Sequence, residues 1–365
     1  MLIITYKHPM INHTIDKSSR NDIISVMLTN KELLSNNLKI TTHAIVKRAI
    51  ERGFEVTGFE TSKAVLRLKD KRENTYYLFS AAPPQTSYAV SKILKDKRVT
   101  AQILKSEGFP VPEELLLRTR EYEKDSRIVD DFLKRHKKVV MKPLDGAHGN
   151  GINADISSAH DVEQYIVGKD KDVKRILLQE FVEGDDLRIV IVGYEYANAI
   201  VRVPATVVGD GKHTISELIE IENSREVRSK GYRTNLTNIS TTRAEGFLKH
   251  KINNIPIPGE AVRVVDISNV GVGGTRVNVT DKVPLWLRDE AERISRTLQA
   301  PVCGIDFIFH GVLEHATKQE DLSVKVIEVN SCPGLVQYED DSSAEQIGLI
   351  DRYIDFATDG AHLLR

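Results

Sequence analysis

The sequence predicts a mixed α/β or α+β protein with antiparallel sheets. Short apolar segments typical of strands are interspersed with amphipathic segments typical of helices, and several neighbouring strand segments are close enough to form hairpins. Hydrophobic residues make up 41% and charged residues 28% of the 365 residues, which is the balance of a globular chain with a buried core. The absence of sequence repeats argues against a solenoid.

The charge balance and the apolar content limit the classes of function. Lys and Arg number 51 against 52 Asp and Glu, a net charge of −1, which argues against a protein that coats nucleic acid or an anionic membrane. Nothing approaches about 18 uninterrupted apolar residues, so we expect no transmembrane helix. Without a CxxC pair or an apolar signal segment, Cys303 and Cys332 are expected to be small buried side chains in a cytoplasmic protein.

The first part of the chain predicts a small α/β domain. A helix is expected over Thr41–Arg52, ending at Gly53, and strands over Phe54–Val56, Ala64–Leu68 and Tyr76–Phe79.

The next segment predicts a boundary between two domains. A helix is expected over Ser87–Glu107, and the Gly/Pro segment Gly108–Pro112 that follows is the best candidate for a boundary. We therefore expect an N-terminal domain over residues 1–90 and a larger domain over residues 91–365.

The larger domain mixes helices with strands and hairpins. Its expected elements are strand Lys138–Pro143, helix Ala159–Val167, strand Arg175–Phe181, hairpin strands Leu187–Val192 and Tyr196–Val203, helix Thr214–Asn223, helix Val283–Leu298, strands Gly304–Phe309 and Ser323–Val329, and helix Asp340–Thr358. Thr214 and Glu217 form a capping-box pattern. The polar stretch Ser224–Ile255 is expected to be a solvated surface excursion, with binding of an acidic chain as the alternative.

A glycine-rich turn follows the strand that carries Lys142. Gly146, Gly149 and Gly151 allow the backbone to approach a ligand closely, and backbone N–H groups beside a lysine can bind phosphate. A hairpin turn without a ligand explains the same pattern equally well. The pattern is not a P-loop.

An apolar strand then runs into an acidic turn. Backbone groups in the segment Leu178–Asp186 can hydrogen-bond an adenine edge, and a carboxylate a few residues further on can accept hydrogen bonds from ribose hydroxyls. Such a turn is, on its own, more often a solvated loop.

Two carboxylates and an amide lie within late apolar strands. Asp306 interrupts a run of apolar residues, and Glu328 and Asn330 are two positions apart, so they share a strand face. Buried carboxylates are costly unless they are paired or bound to a metal, and oxygen ligands of this kind suit Mg²⁺. A salt bridge in the core is the alternative.

The order of these features resembles the ATP-grasp superfamily. Asp96–Thr100 and Gly108–Pro112 resemble the start of its nucleotide site, and Asn269–Thr275 and Glu328–Gly334 fit the same pattern. Arg202–Ile215 resembles the central segment of cyanophycin synthetases and of the ATP-grasp part of bifunctional glutathione synthetases. The resemblance implies two α+β lobes that grip ATP, with an ATP-binding lobe over residues 91–180 and a metal- and substrate-binding lobe over residues 181–365, which has an insert near 205–255.

The resemblance also implies a role for each matching residue. ATP would be bound by Lys97, Lys142, the loop of Gly146, Gly149 and Gly151, the hinge of Gln179, Glu180, Phe181 and Val182, and Asp186. One or two Mg²⁺ ions, replaceable by Mn²⁺, would be held by Asp306, Glu328 and Asn330. The substrate pocket would be lined by Asn269, Gly273 and Gly274. The catalytic arginines would be Arg188, Arg202 and Arg276. One departure is Gly304, where D-alanine ligases place an arginine.

The implied function is that of an ATP-dependent carboxylate–amine ligase. It would use ATP and Mg²⁺ to join amino-acid or peptide substrates through an acyl phosphate, with no nucleic acid or membrane partner. The residues leave two alternatives open: a ligase that adds amino acids to a peptide or protein, and a non-catalytic nucleotide-binding module. A homo-oligomer also agrees with the resemblance, because related ligases are often dimers or tetramers.

Overall fold

The computed structural model describes residues 27–28, 33, 38–59, 62–144, 153–168, 174–229, 236–266, 268, 270–336 and 343–359. The helices of this part of the chain are α1 (Ile40–Glu51), α2 (Tyr88–Lys95), α3 (Lys97–Ser106), α4 (Tyr122–His136), α5 (Ala159–Val167), α6 (Ile215–Asn223), α7 (Thr241–Leu248), α8 (Leu285–Thr297) and α9 (Ala344–Ala357).

The strands group into three larger sheets and two short pairs. In chain order they are β1 (Met27–Leu28), β2 (Glu55–Phe59), β3 (Ser62–Lys69), β4 (Thr75–Phe79), β5 (Glu114–Arg118), β6 (Val139–Pro143), β7 (Asn153–Ile156), β8 (Arg175–Glu180), β9 (Asp185–Val192), β10 (Glu195–Val203), β11 (Thr206–Val208), β12 (Arg228–Ser229), β13 (Leu236–Thr237), β14 (Ala261–Arg263), β15 (Thr275–Asn278), β16 (Val302–His310) and β17 (Ser323–Asn330). The larger sheets have the orders β1-β2-β3-β4, β5-β8-β6-β7 and β15-β10-β9-β16-β17. Their strands pair antiparallel, as the sequence predicts.

One face of the five-stranded sheet packs in an apolar core. Leu187, Ile189 and Ile191 on β9 pack in one core with Leu287 and Ile294 of α8. Alternate residues of a strand point to opposite faces, so the even-numbered residues of β9 lie on the other side of the sheet. That second face carries both apolar and charged side chains.

The N-terminal segment shares a core with the last helix. Ile45 of α1 and Leu66 of β3 are buried in one cluster with Tyr353 and Ile354 of α9, and Val190 of β9 belongs to the same cluster. Arg48 Nε and Nη2 also donate to Asp351 Oδ1 and Oδ2 at 2.8 Å each. The predicted division of the chain at residue 90 stays a prediction, because residues on both sides of it build this core.

A separate core supports the sheet β5-β8-β6-β7. Phe132 of α4 packs with Met141 of β6, Ile156 of β7, Val162 of α5 and Leu178 of β8. The sequence pattern did not single out α4 or β5, although the apolar residues of α4 recur at helical spacing. This sheet positions Lys142 and the hinge residues at its strand ends.

The insert near 205–255 is a folded unit with its own core. Val207 of β11, Ile219 of α6 and Ala244 of α7 are buried together. The arginines of its described part are used internally, since Arg225 and Arg228 both pair with Glu222 Oε1 at 2.9 Å, and Arg243 pairs with Asp266. These pairs favour the interpretation as a surface excursion over a basic surface for an acidic chain.

Two details of the sequence prediction were wrong. The helix expected over Ser87–Glu107 is two helices, because Asp96 interrupts it and its Oδ1 accepts hydrogen bonds from the backbone N–H groups of Arg98 and Val99 at 3.1 Å. Cys303 is buried as expected, but Cys332 is exposed. Among the described residues, no helix is both long and apolar enough to cross a membrane.

Candidate active site

The charged end of the five-stranded sheet brings together residues from four strands. Arg188 on β9 lies directly opposite Asp306 on β16, and Asp306 lies opposite Glu328 on β17. One step along the sheet, Arg202 on β10 lies opposite Asp186 on β9. Because positions 186 and 188 share a face of β9, the two rows form one cluster.

On its other side, Arg202 faces a residue that carries the same charge. Arg276 on β15 lies directly opposite it, and Arg276 Nη1 donates to the carbonyl oxygen of Val336 at 2.8 Å. Like charges that face each other across strands are destabilising unless anions compensate. The structure therefore collects the three arginines predicted to be catalytic at one end of one sheet.

Asp306 is bound by two arginines. Arg188 Nη2 donates to Asp306 Oδ2 at 2.9 Å, and Arg188 Nε donates to Oδ1. Arg202 Nη2 lies 2.9 Å from Asp306 Oδ1 and 2.7 Å from Asp186 Oδ1, so Arg202 bridges the two carboxylates. The Asp306 side chain is 8% exposed and those of both arginines 14%, so these are partly desolvated, strong contacts.

The two aspartates respond differently to burial. Burial acts to raise the pKa of Asp306, but the charges of Arg188 and Arg202 outweigh it and hold that pKa below its usual value. Burial raises the pKa of Asp186 to about 6, opposed by Arg202 and supported by the charge of Asp306. At neutral pH, Asp306 is therefore an anionic oxygen donor.

Two lysines approach the same region from other elements. Lys97 begins α3, and its Nζ lies 3.8 Å from Glu328 Oε1. Lys142 Nζ on β6 donates to Gln179 Oε1 at 2.9 Å. Burial lowers the pKa of Lys142 to about 8, with the charge of Glu114 opposing this shift and that of Lys97 adding to it.

The predicted hinge is held from two sides. Lys325 Nζ on β17 lies 2.5 and 2.6 Å from the two carboxylate oxygens of Glu180. The backbone N–H of Phe181 donates to the carbonyl of Lys138 at 3.2 Å, and Lys138 Nζ lies over the exposed ring of Phe181, 5.9 Å from its centroid. In the part of the chain that the structure describes, the backbone N–H of Val182 has no hydrogen-bond partner.

Two charged residues that contact the site were missed at the sequence level. Gln179 Nε2 donates to Glu114 Oε1 at 2.6 Å, and Lys325 binds Glu180. Lys325 lies between Val324 and Val326 in an apolar strand. This is the same signal that singled out Asp306.

The remaining predicted site residues fall into two groups. Gly146, Gly149, Gly151 and Asn269 lie outside the described residues. Gly273 and Gly274 are buried. Gly273 has φ of +100°, a Cβ there would lie 2.4 Å from Ile239 Cα, and its carbonyl accepts a hydrogen bond from Arg228 Nη1 at 3.1 Å. Packing within the insert is thus sufficient to explain Gly273.

Gly304 makes room for one of the arginines. It lies opposite Asn330 on β17, and a Cβ on Gly304 would lie 2.9 Å from Arg188 Nη1. The guanidinium of Arg188, which comes from the neighbouring strand β9, therefore occupies the space beside Gly304.

The predicted donors for a divalent cation are the oxygens of Asp306, Glu328 and Asn330. In the described part of the chain, no three His, Cys, Asp or Glu side chains gather as a metal site. Two carboxylates on paired strands and an amide two positions further are nevertheless oxygen ligands of the type that Mg²⁺ takes beside phosphates. These residues fit Mg²⁺ by their chemistry.

Comparison with known proteins decides the family. The family model described as the ATP-grasp domain matches residues 94–334, about two thirds of the chain, and this range contains every predicted site residue. The chain belongs to the ATP-grasp family. This confirms the family and the ATP-grasp fold predicted from the sequence.

Several relatives resemble this ATP-grasp chain over most of its length. The glutathione biosynthesis bifunctional protein GshAB of Clostridium perfringens is 28% identical over 306 residues, which are 82% of this chain and 38% of that protein. Cyanophycin synthetase of Crocosphaera subtropica is 31% identical over 248 residues, which are 66% of this chain and 27% of that protein.

A solved structure shows the same fold. The crystal structure of a bifunctional glutathione synthetase from Pasteurella multocida matches with a TM-score of 0.61 and 24% identity, over 88% of this chain and 43% of that one. The chain thus spans about two fifths of the length of the bifunctional relatives that it matches. The names of these relatives agree with the expected class of carboxylate–amine ligases.

Proposed function

We propose that this chain is an ATP- and Mg²⁺-dependent ligase that joins a carboxylate to an amine through an acyl phosphate. Its substrates are amino acids or peptides, and its product is a peptide or isopeptide bond. The observation that carries the proposal is the row Arg188–Asp306–Glu328 across three neighbouring strands, with Lys97 beside Glu328. Oxygen donors for a cation, arginines for carboxylates and lysines for phosphates thus meet in one place.

Lys97 and Lys142 bind the phosphates of ATP in this proposal. In the described part of the chain, the hydrogen bond of the Lys142 ammonium is to Gln179, which leaves two of its three donors for phosphate oxygens. Because the ammonium is buried, its attraction to a phosphate is screened less than at the surface. Gly146, Gly149 and Gly151, which lie outside the described residues, belong to the same phosphate site in this proposal.

Adenine lies along Gln179, Glu180, Phe181 and Val182. The backbone N–H of Val182 is available for a ring nitrogen, while the ion pair between Glu180 and Lys325 fixes the strand end from which Val182 projects. Asp186 takes the ribose hydroxyls in this proposal. It would exchange its present bond to Arg202 for them.

Asp306, Glu328 and Asn330 would hold Mg²⁺. When bound, the ion would neutralise the charge that develops on the transferred phosphoryl group. The charges of Arg188 and Arg202 keep Asp306 ionised for this purpose, as its lowered pKa shows.

The reaction proceeds in two steps. A carboxylate oxygen of the first substrate attacks the γ-phosphorus, the bond to ADP breaks, and an acyl phosphate forms. The nitrogen of the second substrate attacks the acyl carbon, the carbon–oxygen bond to phosphate breaks, and the nitrogen loses a proton. Arg202 and its neighbour Arg276 bind the first carboxylate and then stabilise the negative oxygen of the tetrahedral intermediate. The proposal keeps Gly273 and Gly274 as substrate-binding residues, together with Asn269, which lies outside the described residues.

Phosphate release from Mg·ATP tests the proposal. The purified chain is assayed against single amino acids, pairs of amino acids and short acidic peptides, and products are identified by mass. The expected result is release that requires both a carboxylate and an amine, with a product whose mass is the sum of both minus one water. If the chain binds nucleotide but no combination of substrates stimulates phosphate release, the result would contradict the proposed ligase activity and favour a non-catalytic nucleotide-binding module.

A further inference from the structure

The carboxylate of Asp306 is almost fully occupied by arginine. An ionised carboxylate offers about four lone-pair positions. Oδ1 accepts from Arg188 Nε and from Arg202 Nη2, and Oδ2 accepts from Arg188 Nη2. Three of the four positions are thus taken by N–H donors. A cation that uses Asp306 has to take the last position or displace an arginine.

The charge around Asp306 also disfavours a free cation. Asp186 and Asp306 carry two negative charges, and Arg188 and Arg202 carry two positive charges that contact them. Glu328, the other carboxylate of the candidate metal site, faces the ammonium of Lys97. Among the described residues, both carboxylates of the candidate metal site, Asp306 and Glu328, therefore already have a cationic partner.

We infer that Arg188 and Arg202 are counter-ions that exclude divalent cations from this site until a nucleotide is bound. The inference rests on the proposed function, because it assumes that Asp306 and Glu328 are the metal ligands. The triphosphate brings several negative charges, which compensate a cation that the protein alone repels. When the cation enters with the nucleotide, it replaces arginine N–H groups on Asp306. The arginines are then released toward the anionic substrate groups.

The two arginines contribute through different geometry. Arg188 lies directly opposite Asp306 on the adjacent strand and donates to both of its oxygens. Arg202 reaches Asp306 from the next strand and shares its guanidinium with Asp186. Loss of Arg188 therefore removes a cationic partner from Asp306 alone, and loss of Arg202 removes one from both Asp186 and Asp306.

The test measures binding of Mn²⁺ alone, by the electron paramagnetic resonance signal of free Mn²⁺, to the wild-type chain and to Arg188→Met and Arg202→Met. The wild-type chain is expected to bind Mn²⁺ weakly without nucleotide, and at least tenfold more tightly with a non-hydrolysable ATP analogue. Each Met variant is expected to bind Mn²⁺ alone at least tenfold more tightly than the wild type, because the site gains one net negative charge next to the ligands.

Two matched variants separate contact from overall charge. Arg202→Lys keeps the charge and is expected to bind Mn²⁺ alone as weakly as the wild type does. Arg276→Met removes a positive charge from the neighbouring strand without touching Asp306, and it is expected to gain less than threefold. Thermal unfolding checks that each variant is folded. If Arg202→Met does not fold, the Arg188→Met variant alone decides the test. In that variant Asp306 is still paired with Arg202, so its charge stays compensated.

The outcomes distinguish this inference from the proposed function. The inference is overturned if the two Met variants bind Mn²⁺ no more tightly than the wild type. It is also overturned if Arg276→Met gains as much affinity for Mn²⁺ as they do. A wild-type chain that binds Mn²⁺ equally well with and without nucleotide overturns it as well. A wild-type chain that binds neither the nucleotide nor its Mn²⁺ complex instead contradicts the proposed function.

Discussion

The two ends of one face of the five-stranded sheet have opposite characters. On β9, Val190 is packed in an apolar core with α9, while Arg188, two residues earlier on the same face, binds Asp306. On β16, Val302 belongs to that apolar core, and Asp306 lies four residues further in the charged cluster. One regular sheet thus serves as a packing surface at one end and as a site at the other.

This difference separates stability from function. At the apolar end, each fully buried aliphatic side chain contributes about 1.5–3 kcal/mol to the free energy of unfolding. At the charged end, the cost of desolvating ions offsets much of the attraction, so buried ion pairs are weak evidence of stability. Substitutions at the apolar end should therefore change stability, and those at the charged end should change chemistry.

The largest effect on activity is expected from Asp306→Asn. The change removes the anionic oxygen between Arg188, Arg202 and the proposed cation, so stimulated phosphate release should fall about 100-fold or more. Asp351→Asn is the matched control at the other end of the sheet. It weakens a partly exposed pair with Arg48 and should cost about 0.5–1 kcal/mol of stability with full activity per folded molecule. Full activity in Asp306→Asn would contradict the site.

The largest effect on stability is expected from Ile354→Ala. Ile354 on α9 is fully buried in the core that this helix shares with the sheet. The truncation therefore leaves a cavity and should lower the free energy of unfolding by about 2–4 kcal/mol. Urea unfolding measures this change. Steady-state activity below the unfolding transition should match the wild type, and a specific loss of activity would show that the two ends of the face are not independent.

Nucleotide affinity should depend on pH through Lys142. Its pKa of about 8 lies below the usual value for lysine, mainly because of burial, and a bound phosphate raises it. The ammonium is therefore present below pH 8, and affinity should fall above pH 8, by up to about tenfold per pH unit. Calorimetry between pH 7 and 9 should also detect proton uptake on binding near pH 8.

Lys142→Met is the control for this pH dependence. The variant should bind nucleotide more weakly at pH 7, and its affinity should be flat between pH 7 and 9. A wild-type affinity that is constant over this range would contradict the placement of phosphate beside Lys142.

The smallest expected effect belongs to Gly304→Ala. The new Cβ would lie 2.9 Å from Arg188 Nη1, at the end of a flexible side chain, and 3.1 Å from Pro333 Cβ, so the arginine shifts and Pro333 has to move slightly. Stability should change by less than about 1 kcal/mol. Phosphate release should fall about three- to tenfold, because Arg188 would be misplaced relative to Asp306. An unchanged rate would show that the position of Arg188 is not critical.

Local sequence signals predicted most elements of this fold. Thr214 and Glu217 form the predicted capping box at the start of α6, and the predicted hairpin turns at Gly193, which has φ of +67°. The helix over Ala159–Val167 has the predicted bounds. These features depend on neighbours a few residues apart, so the sequence displays them directly. Asp96 was missed as a helix breaker because its cap lies inside a continuous apolar pattern.

The partners of the site side chains were not predictable in the same way. A carboxylate in an apolar strand marks Asp306 as a special position, but its contacts with Arg188 and Arg202 span about a hundred residues and depend on strand register. Lys325 and Glu180 likewise meet across 145 positions. The same limit applies to the N-terminal segment, whose core is completed by α9.

Transfer of ¹⁸O from a labelled carboxylate substrate to phosphate tests the central claim most directly. If the chain forms an acyl phosphate at this site, each turnover places one ¹⁸O atom from the carboxylate in the released phosphate, which mass spectrometry detects. Arg202→Lys and Asp306→Asn should lower product and labelled phosphate together. Product formed from ATP with no ¹⁸O in the phosphate would contradict activation of the carboxylate by phosphoryl transfer.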